Sequence, residues 1–169
     1  LLSDKPVIRS GRDQNYALGK DTGRFWDAGA ANVHWVIVTD EQVEPGIKQA
    51  IERVIAPGVF IEGNSILDFI QADFVLMVSR ASGGKIKGSA RQALGHTSAI
   101  YLSNITEEGT DERNKFALWR KQSGLDMLIG DLPIYTPGDL AELIALVKNM
   151  EASSHIAVRL VAPTGENRP

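Results

Sequence analysis

Apolar residues fall into short runs that end on polar tips, with helically spaced stretches between them. Val33-His-Trp-Val-Ile-Val-Thr39 reads as a strand from its β-branched and aromatic content, with Asp40 at its tip. Gly58-Val-Phe-Ile-Glu-Gly-Asn-Ser65 reads as a short buried strand delivering Glu62 and a glycine turn. Phe74-Val-Leu-Met-Val78 stops at a polar segment, and Ala99-Ile-Tyr-Leu102 ends on Ser103-Asn104. Fully apolar strands belong to parallel sheets covered on both faces, and such sheets place ligand sites at their carboxyl edge. Further strands are predicted within residues 4–10, 126–130, 132–135 and 155–161.

Helical spacing fills the intervals. Asp21 or Thr22 caps a short helix that turns Phe25, Ala28 and Trp26 inward and ends at Gly29-Ala30. Residues 43–55 carry apolar side chains at Val43, Ile47, Ala50, Ile51, Val54 and Ile55, with Pro45 tolerable in the first turn. Helices are also predicted at 86–94, at 112–122, and after Pro137, where Leu140, Leu143, Ile144, Leu146 and Val147 form an apolar stripe. Residues 11–19 read as a loop and 162–169 as a C-terminal tail. The alternation predicts one α/β domain over residues 1–169, three-layer α/β/α with a mostly parallel sheet. One interval resists that scheme: residues 65–73 are too few for the crossover of about a dozen residues that joins parallel strands. Either this crossover is abbreviated or one strand is misplaced.

Composition narrows the function classes. With 43% hydrophobic and 23% charged residues the chain has a globular composition, and no apolar run approaches the roughly 20 residues of a membrane span. A net charge of -3 gives no electrostatic reason to expect nucleic acid or anionic lipid as a partner. The lack of cysteine excludes disulfides and thiolate chemistry and makes the cytoplasm the expected location. His34, His96 and His155 lack metal-ligand spacing; His34 reads as packed in its strand and His96 as structural or exposed.

Candidate chemistry lies at the polar tips. Glu62 either orients water or holds magnesium beside a phosphate, or else caps a neighbouring element. Asp40 either converges with it or caps the helix that follows. Arg80-Ala-Ser-Gly-Gly-Lys-Ile-Lys-Gly-Ser89 offers amides, hydroxyls and cations suited to phosphate, with a plain solvated loop as the alternative for Lys85 and Lys87. It is not a phosphate loop of Gly, four residues, Gly-Lys-Ser/Thr, because Ile86 follows Lys85. Asn104 either reads a base edge or forms a turn.

Gly19-Lys-Asp-Thr-Gly-Arg-Phe-Trp-Asp-Ala-Gly-Ala30, Val59-Phe-Ile-Glu-Gly-Asn64 and Tyr101-Leu-Ser-Asn104 resemble segments of P-loop NTPases related to the B protein of molybdopterin-guanine dinucleotide biosynthesis. The resemblance spans most of residues 5–150. It implies a P-loop NTPase-like fold, binding of ATP or GTP with Mg2+, slow hydrolysis or a transfer-assisting role, and a homodimer or a cofactor-biosynthesis partner. It implies Lys20, Asp21 and Arg24 near the phosphates or metal, Asp21 and Glu62 as metal-side acids, and Asn104 at the base. Two departures stand out. The family's first strand and phosphate loop are expected to precede Leu1, since their loss would leave a long unpaired sheet edge. Asn104-Ile-Thr-Glu107 stands where a guanine-reading Asn-Lys-x-Asp would, so neither ATP nor GTP is favoured. The alternatives are a non-catalytic interaction domain on the same scaffold and a small-molecule phosphotransferase.

Overall fold

The computed structural model describes residues 3–103, 110–153 and 159–160. Two units emerge: the described residues up to Ile70 together with 159–160, and those from Gln71 to Ser153. The fold is mixed α/β, with short parallel and antiparallel sheets.

In the first unit, Val7–Ser10 (β1) leads into the single helical turn Arg12–Asn15 (α1), inside the segment expected to be a loop. Asp21–Asp27 (α2) is the predicted short helix, and Lys20 rather than Asp21 or Thr22 takes its N-cap position. His34–Ile37 (β2) pairs antiparallel with β1, Val7 opposite Ile37 and Ser10 opposite His34. Val43–Ile51 (α3) packs on this strand pair so closely that a β carbon at Gly46 would lie 2.6 Å from Val38 Cγ1. Gly46, Ile47 and Ala50 are its buried positions, and Pro45 sits in the first turn as expected. The helix ends at Ile51, short of the predicted Ile55, which is fully exposed.

The strand expected at residues 58–65 does not form. Val59, Phe60 and Ile61 belong to no ladder, and Phe60 is 79% exposed. Pro57-Gly58 and Gly63, the last at φ 147°, bracket only four residues, and no neighbouring strand offers these a ladder. Without partners for its amides and carbonyls, high β propensity does not make a strand. A 3-10 turn at Ser65–Asp68 then leads to Ile70–Gln71 (β3), which pairs with Arg159–Leu160. The misplaced strand is what made the crossover look too short.

In the second unit, Leu76–Arg80 (β4) runs through a turn to Gly88–Ala93 (α4), and Leu94–His96 continues as a 3-10 turn. Ala99–Ser103 (β5) lies parallel to β4, Leu76 opposite Ala99 and Arg80 opposite Ser103. Thr110–Gln122 (α5) follows the undescribed residues 104–109. Residues 126–130, expected to be a strand, instead form the helical turn Asp126–Ile129 (α6). Leu125 and Ile129 are buried together while Met127, which a strand would place on the same face as both, is 95% exposed. Ile134–Tyr135 (β6) completes a parallel sheet in the order β4-β5-β6, and Leu140–Ser153 (α7) is the predicted last helix. Arg159–Leu160 (β7) is the described part of the predicted terminal strand, and the 162–169 tail lies outside the described residues.

Strand β5 is the centre of this unit because both of its faces are apolar. Ile100 and Leu102 pack with Leu94, Phe116, Leu125 and Ile129 on one side. Ala99 packs with Tyr135 and Leu143 on the other. This is the doubly covered parallel strand that continuous apolar runs predict.

Candidate functional site

A cavity of about 360 Å³ opens where β4 ends, within the range of small-molecule pockets. Its apolar lining includes Met77, Ile86, Leu94, Ile100, Phe116 and Trp119. Its polar lining comes from Ser79, Arg80 and the turn Gly83-Gly84-Lys85. The Gly83 amide donates to Arg80 O at 2.9 Å and closes the turn. Gly83 and Gly84 hold φ values of 67° and 147°, which L side chains rarely adopt. The amides of Gly84, Lys85 and Ile86 make no hydrogen bond among the described residues, and the exposed Arg80 and Lys85 side chains make no ion pair there. No carboxylate stands among the lining residues. Unspent donors and two cations therefore border an apolar volume, an arrangement suited to an anion carrying a less polar body.

The helix behind the cavity is held from both ends. Arg120 Nε lies 2.8 Å from Asp126 Oδ1, and its Nη1 donates to Gly130 O at 2.9 Å, joining α5 to α6. Near the start of α5, Arg113 donates to Ile134 O and to the Asp139 carboxylate, joining α5 to β6 and to the turn before α7. Asp139 also accepts from the Thr136 hydroxyl at 2.7 Å and the Thr136 amide at 2.8 Å. These hydrogen bonds, the hydroxyl first, hold its carboxyl below the usual carboxylate range, with Arg113 adding to the effect.

Among the described sequence-predicted site residues, Lys85 lines this cavity, together with Arg80, Gly83, Gly84 and Ile86 of the same candidate segment. Lys20, Asp21 and Arg24 come together on α2 in the first unit, exposed, with Asp21 Oδ1 3.7 Å from Arg24 Nη1. The glycine of that Lys-Asp-Thr-Gly-Arg segment has a packing reason: a β carbon at Gly23 would fall 2.1 Å from Ala17 O. Asp40 is the exposed first residue of the 3-10 turn Asp40–Gln42. Thr39 occupies the N-cap position, its amide donating to Gln42 Oε1 at 3.2 Å, so Asp40 is not the cap. Glu62 is exposed on the irregular segment after α3 rather than at a strand end. Asn104 lies outside the described residues. Among the described residues no three His, Cys, Asp or Glu side chains converge as a metal site.

His34 is packed as its strand position predicts, its Nδ1 2.7 Å from Ser10 Oγ. Desolvation, with Arg53 nearby, lowers its pKa and favours the neutral ring. His96 is exposed. Trp119 escaped sequence reasoning as a site residue, whereas Gly83 lies inside the Arg80 to Ser89 segment singled out for phosphate. The signal for Trp119 was present in aromatics three apart on one helix face, Phe116 and Trp119. No described helix is long and apolar enough to cross a membrane. Comparison with protein-family models, curated proteins and solved structures gives no match.

Proposed function

We propose that the chain binds a nucleoside triphosphate, ATP or GTP with Mg2+, on a three-layer scaffold like that of the P-loop NTPases it resembles. The observation that carries this reading is the cavity at the carboxyl end of β4, where the unspent amides and cations of the Arg80 to Ile86 turn meet an apolar volume. The phosphates take the turn, the base takes the apolar volume, and magnesium accompanies the phosphates. This is the position that parallel sheets use for ligands. Binding is the part of the function that this geometry supports. Slow hydrolysis or assisted nucleotide transfer rests on the resemblance alone, since no carboxylate lines this cavity.

Calorimetric titration of the full chain with ATP and with GTP, each with and without magnesium, tests the proposal. Saturable binding of at least one is expected, weakened by Lys85→Ala; heat-silent titrations with both nucleotides would sink the reading. Phosphate release from the saturated protein, compared with that of Glu62→Gln, then separates a hydrolase from a binding protein. Equal release by the two removes Glu62 from the reaction.

A further inference from the structure

Gly83 rests directly on the indole of Trp119. A β carbon built on this glycine would fall 2.2 Å from Trp119 Cδ2 and Cγ and 2.3 Å from Cδ1, well inside any tolerated contact. The indole cannot retreat easily, because its ring centroid lies 5.5 Å from that of Phe116, and Phe116 is buried among Leu94, Ile100, Leu125 and Ile129. Trp119 is thus a fixed platform whose one side meets the core and whose other side sets the height of the turn. The three consecutive amides after Gly83 inherit their directions from that contact. On α2, by contrast, the exposed Arg24 is engaged by Asp21.

We infer that Gly83 to Ile86 is a polyphosphate-binding turn and that Trp119 is its positioning residue. The ligand class is a chain of two or more phosphates, whose charge is shared between the backbone amides and the flanking Arg80 and Lys85. The inference deepens the nucleotide reading for the phosphate half of the ligand, yet it makes a claim that inorganic polyphosphate alone can test. A single phosphate meets too few donors at so open a rim to match a chain.

The test uses the full chain with inorganic tripolyphosphate and ATP as probes. Wild-type protein is expected to bind tripolyphosphate and ATP, with changes at the amide resonances of Gly84, Lys85 and Ile86. Trp119→Phe keeps a ring beneath the turn and retains affinity within about threefold, less than one hydrogen bond is worth. Gly83→Ala and Trp119→Leu weaken tripolyphosphate and ATP by about tenfold or more, the scale of one lost charge-assisted hydrogen bond. Gly83→Ala keeps the wild-type amide resonances away from the turn and α5, an outcome that general damage to the fold would not give. Wild-type affinity for tripolyphosphate in Gly83→Ala and Trp119→Leu overturns the inference, as does tripolyphosphate that leaves the three wild-type amides unmoved. The wild-type amide measurement decides the matter if either variant fails to fold. ATP binding without tripolyphosphate binding removes the turn and keeps the nucleotide reading; the reverse keeps the turn and removes the nucleotide.

Discussion

Asn15 closes a small network that no run of apolar residues announces. It is 5% exposed, and its Nδ2 donates to Arg9 O at 2.9 Å and Val33 O at 2.7 Å, while its Oδ1 accepts from Trp26 Nε1 at 2.7 Å. One side chain thereby ties β1, the approach to β2 and α2 together. The inward turn of Trp26 was legible from helical spacing, but its partner was not, because Asn15 sits in a glycine-bounded polar stretch that reads as loop. Replacing it by alanine strands two carbonyls and an indole N–H out of water. The expected cost is about 2 kcal/mol, read from urea unfolding followed by tryptophan emission. A loss below about 0.5 kcal/mol, the range of a neutral surface change, would show that water replaces the amide.

At the scale of elements, whether a predicted piece formed depended on what lay beside it. Strand β5 and helix α3 were readable because their apolar pattern matches the faces they bury. Residues 58–65 carry as good a strand pattern, yet Val59 to Ile61 stay exposed, since a ladder needs a neighbour that local sequence cannot specify. Residues 126–130 failed for the opposite reason: a short apolar run has no period long enough to separate strand from helix. The start of α7 shows an element fixed by polar chemistry instead. Asp139 accepts from Thr136 and Arg113, and its carboxylate form is the one those donors favour. Its folded pKa lies below the ordinary 3.8, so its contribution is complete above that pH and disappears as pH falls through the folded value. Asp139→Asn should therefore cost about 1 kcal/mol near neutral pH. The gap to wild type should close below about pH 4, as measured by denaturant unfolding across pH. A gap that persists unchanged at pH 2 to 3 would assign the effect to packing rather than charge.

For the whole molecule, the sequence carried the α/β class and the central parallel strand. Its division into two units was not legible, because the apolar run at 58–65 appeared to continue one sheet that the structure does not build. That division bears on the candidate site. The cations and acids singled out by resemblance, Lys20, Asp21, Arg24, Asp40 and Glu62, belong to the first unit, whereas Lys85 and the cavity belong to the second. Ligand linkage distinguishes the two placements without mutating either. A ligand that binds only the closed form suppresses opening by a factor of about [L]/Kd, or roughly 2.7 kcal/mol at a hundredfold excess over Kd. Hydrogen exchange of the full chain, with and without saturating ATP or GTP and magnesium, should show added protection in β4, β5 and α5. Protection confined to α2 and β2 would move the nucleotide to the segment that the family resemblance favours, and would leave the cavity at the end of β4 without its proposed occupant.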